Sequence, residues 1–360
     1  MIGRDGGRLR IAVVGYGYWG SKHVRVLASM PGVEVTVIDR DPERLAEAAR
    51  SFPAARMARA LDEALPGLDA AVVASPPASH HQIALEALSE GVHCLVEKPL
   101  AVSSAQAEDL VSAAAAAGVH LMVGHTFEYN AAVWKLKEIL STGELGRVFY
   151  VDTARLSLGR YQNDCNVIWD LAPHDISIVT YLLDETPSTV SVWSRRNVGD
   201  TYDDIAYVRM EFPRSGASAF VHVSWLDPQK VRRVTVAGEG KMAVYDDLSD
   251  ERVRVYDKGV HPPDVEPGRL SHAMPVTYRS GDIVSPYISF TEPLFVQDSH
   301  FVDCVRTGRR PRTPGERGLE IVRVLEATDA AAVGDGSVPV GKVIQFPADA
   351  GAPLRAEVAL

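Results

Sequence analysis

A chain of 360 residues, 46% apolar and 23% charged, has material for two ordinary domains, each burying a core of its own. Its net charge of −10 excludes a surface built to hold nucleic acid or an anionic membrane, and no stretch approaches the roughly 20 apolar residues of a membrane span. Cys94, Cys165 and Cys304 are isolated, so neither a disulfide framework nor a metal site is expected; with an early apolar run too short for a signal peptide, the expected location is cytoplasmic.

The first organised stretch is residues 11–20, IAVVGYGYWG. A short apolar strand runs into Gly15, Gly17 and Gly20, with Tyr18 and Trp19 between the last two, and a helix over about 21–28 follows. A second strand over 33–39 ends in Asp39, with Arg40 beside it. This order of strand, G-x-G-x-x-G, helix, strand and carboxylate predicts a dinucleotide site. Gly15 permits the turn, Gly17 lets the backbone approach a pyrophosphate, and Gly20 lets helix and strand pack closely. Asp39 is placed to accept hydrogen bonds from ribose hydroxyls, which predicts NAD; Arg40 beside it keeps NADP possible.

Further along, a helix starts at Pro42 behind an Asp41 cap, and a short helix is expected over 61–65. A buried strand over 69–74 runs into Ser75-Pro76-Pro77, which opens a helix containing His80. A strand over 92–96 then delivers Glu97-Lys98-Pro99, an alanine-rich helix spans 104–117, and a strand covers 119–123. The repetition predicts an α/β fold with a doubly wound parallel sheet, and a dinucleotide-binding domain over 1–124. Ligands of such sheets sit beyond the carboxyl ends of the strands, where the Ser75 and Lys98 segments both fall. Of the adjacent His80 and His81, one can face the cofactor, and His80 is taken as that one. A lysine held there by an X-Pro bond is expected to be partly desolvated and to hydrogen-bond a reacting hydroxyl.

From His125 the pattern changes. A helix over 131–141 leads into a long strand over 147–158, and the strands at 189–195, 205–212, 218–225, 232–237, 241–245 and 252–256 follow with turns between them. Alternation of Ala206, Val208, Met210 and Phe212 with polar neighbours predicts a mainly antiparallel sheet with one buried face. Residues 262–286 read as a long excursion, followed by helices over 292–306 and 315–331 and a closing strand over 342–346. Residues 125–360 are therefore assigned to a substrate-binding and oligomerisation domain. The outer sheet face, with Phe220 and His222, has no evident cover and predicts a homodimer or homotetramer. Within this half, Asp170 precedes His174 by four residues, and Pro173 fits the first turn of a helix running to about 183. A carboxylate beside an imidazole fixes its tautomer and stabilises its cation, which suits acid–base chemistry near neutral pH. Arg155 and Arg160 stand before this segment as possible holders of a carboxylate or phosphate.

Taken together, the glycine turn, Asp39, Ser75-Pro76-Pro77 with His80, Glu97-Lys98-Pro99, Gly124-His125 with Tyr129-Asn130, and Asp170-x-x-x-His174 resemble the glucose–fructose oxidoreductase, inositol dehydrogenase and rhizopine-catabolism family, Gfo/Idh/MocA. The resemblance covers nearly the whole chain. It implies a Rossmann domain joined to an α/β domain with an open, mainly antiparallel sheet, and oxidation or reduction of a hydroxyl-bearing ring carbon with NAD or NADP. It also implies that Lys98 hydrogen-bonds the reacting oxygen while Asp170 and His174 contact substrate and move the proton. Asn166, Arg155, His125 and Tyr129 are taken as further substrate-binding positions. The wording around Asp170 is similar to that of members acting on sugar nucleotides or secondary-metabolite sugars, and so implies an NAD-dependent enzyme oxidising a secondary hydroxyl at C3 of a sugar or nucleotide sugar. A 3-keto-sugar reductase, an inositol dehydrogenase and an NAD(H)-binding redox sensor are the alternatives. Some related ketoreductases carry tyrosine where this chain has His174, which leans the expectation towards oxidation.

Overall fold

The apolar run Leu9–Val14 forms strand β1, and the glycine turn after it leads into helix α1 (Tyr18–Ala28), three residues earlier than the sequence suggests. There follow β2 (Val33–Ile38), α2 (Pro42–Ser51), β3 (Arg56–Ala58), β4 (Ala70–Val73), α3 (His80–Ser89), β5 (His93–Glu97), α4 (Ser104–Ala117) and β6 (Leu121–Gly124). Asp41 caps α2 as expected, its carboxylate accepting from the Glu43 N–H over 2.9 Å. The six strands form a parallel sheet in the order β3-β2-β1-β4-β5-β6, the order of winding reversing between β1 and β4. The edge strand β3 is too short to read from the sequence, and residues 61–65 close a single turn (the Leu65 N–H donates to the Leu61 carbonyl) in place of the expected helix. This is a computed structural model, and it describes residues 7–159, 161–162, 164–199, 201–261, 277–333 and 337–341.

A second layer begins with α5 (Ala131–Ser141), β7 (Val148–Leu158) and α6 (Val167–Leu183). It continues through β8 (Thr189–Arg195), β9 (Ile205–Phe212), β10 (Ala217–Ser224), β11 (Leu226–Gly238), β12 (Met242–Asp246), β13 (Val253–His261) and β14 (Thr277–Val284). The chain then forms α7 (Pro293–Thr307), α8 (Gly315–Val333) and β15 (Val338–Pro339). The nine-stranded sheet runs β14-β13-β12-β11-β7-β10-β9-β8-β15, antiparallel apart from the β7–β10 pair. Two expectations change here. Part of the 262–286 excursion is strand β14, because its backbone completes the ladder of β13. The helix carrying His174 begins at Val167, so Pro173 lies inside it. The strand expected over 342–346 and Arg160 lie outside the described residues.

Along β9 the alternation is as expected, with Ala206, Val208, Met210 and Phe212 buried under α6 and α8. The chain's last helices then return to the first sheet. Phe301, Val302 and Val305 of α7 join the core beneath α1, while α8 gives Leu319 and Val322 to the core on the other face of that sheet. The same helix gives Ile321, Val324 and Leu325 to the second core. One amphipathic helix thus ties both sheets together, and the segment after β5 meets the start of α6.

Candidate active site

At the head of β1 the glycine turn takes the form a dinucleotide requires. Gly15 has φ +95°, and a Cβ there would lie 2.9 Å from the Ala74 carbonyl oxygen at the end of β4. A Cβ on Gly20 would come within 1.7 Å of the Gly15 oxygen, so this close approach of helix to strand admits no side chain. Gly17 faces open space, and the first turn of α1 carries neither a side-chain cap nor an acidic residue, which leaves its N–H groups to an anion. Tyr18 is exposed, and Lys22 stands 3.7 Å from its ring centroid and 4.8 Å from that of Trp19. Lys22 first, and then the charges of Arg232 and Lys230 from β11, hold the Tyr18 phenol below its usual range.

Asp39 is buried at the end of β2, its carboxylate accepting from the Tyr16 N–H (2.7 Å) and the Asp41 N–H (2.9 Å). It therefore shapes the glycine turn itself, with lone pairs left for a ribose. The arginine beside it is Arg44, at 3.6 Å, one turn along α2; Arg40 points into solvent. These residues fit an NAD molecule: an open, uncapped helix start for the pyrophosphate and an acceptor at the strand end for the adenosine.

Lys98 follows β5 through a cis bond to Pro99. Its Nζ donates to the Asp170 backbone carbonyl over 2.7 Å and lies 3.7 Å from the Asp170 carboxylate. Here the two halves of the chain meet. Asp170 Oδ2 in turn accepts from the indole Nε1 of buried Trp225 over 3.0 Å. Among the described residues Asp170 makes no hydrogen bond to His174, although i, i+4 residues share a helix face, because Trp225 and Lys98 hold the carboxylate.

His174 is nevertheless in the site. Its imidazole is buried edge-on to Phe127, with ring centroids 5.1 Å apart, and its Nδ1 has no partner. Burial, then the charges of Lys98, Arg155, His125 and Arg232, hold its pKa well below the usual histidine range, so the ring is neutral. His125, at the end of β6, is also buried, with neither ring nitrogen partnered, and burial followed by Arg317 and Lys98 lowers it to about 3.

Several expected site residues are occupied elsewhere. His80 bridges the Pro99 and Ser75 carbonyls at 2.8 Å each, locking the Ser75-Pro76-Pro77 turn to the Lys98 segment from inside the fold. The Ser75 hydroxyl meets that of Ser79 at 2.7 Å. Tyr129 is wholly buried against Thr313 (3.0 Å), because the 3-10 turn Thr126–Tyr129 directs it into the core beneath α7. Asn166 caps α6, accepting from the Ile168 and Trp169 N–H groups at 3.0 Å. Arg155 Nε donates to buried Asp175 over 2.5 Å and its guanidinium covers Phe127. Glu97 is buried against His23. Trp225, Phe127, Arg232 and His23 are the members that sequence reasoning missed; Trp225 and Arg232 come from remote parts of the second sheet, while Phe127 and His23 lie beside recognisable motifs but show no pattern of their own.

Residues 9–125 match the model of an oxidoreductase family with an NAD-binding Rossmann fold, and residues 133–244 match that of the GFO/IDH/MocA C-terminal domain. The chain is 25% identical over 341 residues to D-apiose dehydrogenase of Paraburkholderia graminis, covering 89% of this chain and 87% of that protein. It is 27% identical over 257 residues to UDP-N-acetylglucosamine 3-dehydrogenase of Acidithiobacillus ferrooxidans, covering 70% and 78%. The crystal structure of GenD2 from gentamicin A biosynthesis in complex with NAD superposes with a TM-score of 0.78 at 26% identity, over 95% of this chain and 99% of that one.

Proposed function

The chain belongs to the Gfo/Idh/MocA family of oxidoreductases, and we propose that within it this protein oxidises a secondary hydroxyl of a sugar or nucleotide sugar, at C3, with NAD as acceptor. The observation that carries the reading is the meeting of Lys98 with α6 beyond the dinucleotide crevice, close enough for the lysine charge to act on a neutral, buried His174. An imidazole held neutral is in the state that accepting a hydroxyl proton requires. The likeness to a UDP-N-acetylglucosamine 3-dehydrogenase supports a hexose C3 as the carbon, and the likeness to D-apiose dehydrogenase supports a sugar in general.

The glycine turn, the first turn of α1 and Asp39 would hold NAD, which when bound would supply the acceptor for the hydride leaving the substrate carbon. Lys98 Nζ keeps one N–H on the Asp170 carbonyl and directs its others to the substrate oxygen, offsetting the negative charge that develops there. His174 takes the hydroxyl proton at Nε2, the ring nitrogen that is not sealed in the interior. Asp170, steadied by Trp225, keeps the amine in place and serves as counter-charge to Lys98 rather than to the imidazole. His125, buried beside Lys98 with both ring nitrogens sealed, is assigned to the wall of the site and not to contact with substrate.

On the outer face of the second sheet, Trp193, Tyr207 and His222 lie opposite one another across β8, β9 and β10, with Tyr207 stacked on His222 at 4.0 Å. Trp193 and Tyr207 are about half exposed, and this aromatic row is assigned to contact with a second copy.

The decisive experiment is a panel of free sugars, inositols and nucleotide sugars offered to the purified protein with NAD and with NADP, following NADH formation and identifying the product by NMR. A 3-keto sugar is the expected product. Tight NADH binding with no turnover on any member of the panel would make the protein a sensor, and a product oxidised elsewhere would overturn the C3 assignment.

A further inference from the structure

Behind the catalytic face, three elements share one buried ionic cluster. His23 lies on the second turn of α1, fully buried, with Nε2 3.0 Å from Glu97 Oε1 at the end of β5. Its Nδ1 is 2.9 Å from Asp298 Oδ2 on α7. With Glu97 and Asp298 both ionised, each carboxylate only accepts and both ring nitrogens carry a proton, which makes the ring an imidazolium; burial raises Asp298, and the charge and hydrogen bond of His23 oppose that rise. Burial opposes that charge, but Asp298 and Glu97 outweigh it and lift the ring to about 10. Among the described residues these two are the charged groups set against His23; Gln297 reaches the other Asp298 oxygen (3.5 Å) and accepts from Thr126 beside His125.

The remaining contacts of Glu97 lead into the active site. Its Oε2 accepts the backbone N–H of Lys98 over 3.2 Å. Its Oε1 lies where a side chain on Gly124 would start, 2.9 Å from an ideal Cβ, immediately before His125. One carboxylate therefore sets the strand ends that deliver Lys98 and His125, and its counter-ion stands on the helix whose first turn faces the dinucleotide.

We propose that His23 is a positioning residue for the redox reaction: as an imidazolium clamped between Glu97 and Asp298, it fixes Glu97 and, through it, the backbone from which Lys98 reaches the substrate. The inference rests on the assignment of Lys98 to the reacting oxygen. A buried ion pair adds little net stability, since desolvation offsets the attraction, yet losing one member leaves the rest uncompensated. The consequence should therefore be felt in geometry, and small displacements of a catalytic group cost up to about 100-fold in rate.

The test uses the full-length protein labelled with 15N-histidine. In the wild type the His23 ring should keep imidazolium shifts across neutral pH and well into the alkaline range. Asp298→Asn keeps the shape and removes one carboxylate, so His23 should lose its proton at lower pH, and kcat should fall at that same pH while the Kd for NAD stays within about threefold. His23→Gln, the second variant should the first fail to fold, should lower kcat about tenfold or more with the same retention of NAD binding. A neutral His23 in the wild type near pH 7 would overturn the proposal. So would a kcat profile in Asp298→Asn that ignores a demonstrated shift in His23, or full turnover in His23→Gln. Lys98→Ala, assayed in parallel, distinguishes a failed assignment of Lys98, which the histidine titration does not depend on.

Discussion

The indole Nε1 of Trp225 donates to Asp170 Oδ2 over 3.0 Å, joining the end of the β10 hairpin to the first turn of the helix that carries His174. The other Asp170 oxygen faces Lys98 at 3.7 Å. Trp225 thus decides how the carboxylate is shared. A hydrogen bond to a charged group contributes roughly 1.5–3 kcal/mol, so Trp225→Phe should lower kcat about tenfold by letting Asp170 turn fully onto the lysine. NAD affinity, measured by titration calorimetry, should be nearly unchanged. Turnover equal to wild type would show that the indole only fills space.

For the chemical step itself, His174→Asn and Lys98→Ala should each lose roughly 10²-fold or more in turnover while binding NAD nearly normally, since each removes a group acting on the reacting oxygen or its proton. Steady-state kinetics beside NAD titration separates the two effects. Near-normal turnover in His174→Asn with none in Lys98→Ala would transfer the base role to the lysine.

The pH dependence has a definite sign. His174 must be neutral to accept a proton, and its pKa lies well below 6.5 because burial and nearby cations oppose its charge. The acid limb of kcat/KM should therefore fall below pH 6.5, with activity level from there to neutrality. A limb centred near 7 in the kcat/KM profile would mean that the free enzyme's His174 is not the base.

Cofactor choice rests on Asp39. A carboxylate fixed by the Tyr16 and Asp41 N–H groups cannot swing away from a 2′-phosphate, so NAD should bind more tightly than NADP. Asp39→Ala should weaken NAD by about 1–3 kcal/mol, the worth of charged hydrogen bonds left unmade. Fluorescence titration with both dinucleotides checks this; tighter NADP binding by the wild type would point to Arg44 as the determinant.

Assembly is tested on the aromatic row. Tyr207→Glu places a charge at the centre of the exposed Trp193–Tyr207–His222 face, and should convert a dimer or tetramer to smaller species in light scattering with the fold retained by circular dichroism. A wild-type protein already monomeric at micromolar concentration would remove the basis for this interface.

Local chemistry determined much of this protein. Gly15, Gly17 and Gly20 act through backbone sterics, Asp39 through its place at a strand end, and Ala206 to Phe212 through a period of two, so the dinucleotide crevice, the parallel sheet and the buried face of the second sheet are all legible in the residues themselves. Lys98 is legible for the same reason, as a strand end fixed by proline. Tertiary structure alone decided who partners whom. Asp170 and His174 share a helix, yet contacts from β5 and β10 claim the carboxylate, and cations from β5, β7 and β11 set the imidazole. Tyr129 and Asn166 read as site residues until packing assigns one to the core and the other to a helix cap. His23 meets Asp298 across 275 residues of chain, and no local pattern encodes that distance. Hydrogen bonds and charge pairs between remote elements depend on how the two cores dock, which the shared helix α8 fixes only once the whole chain has folded.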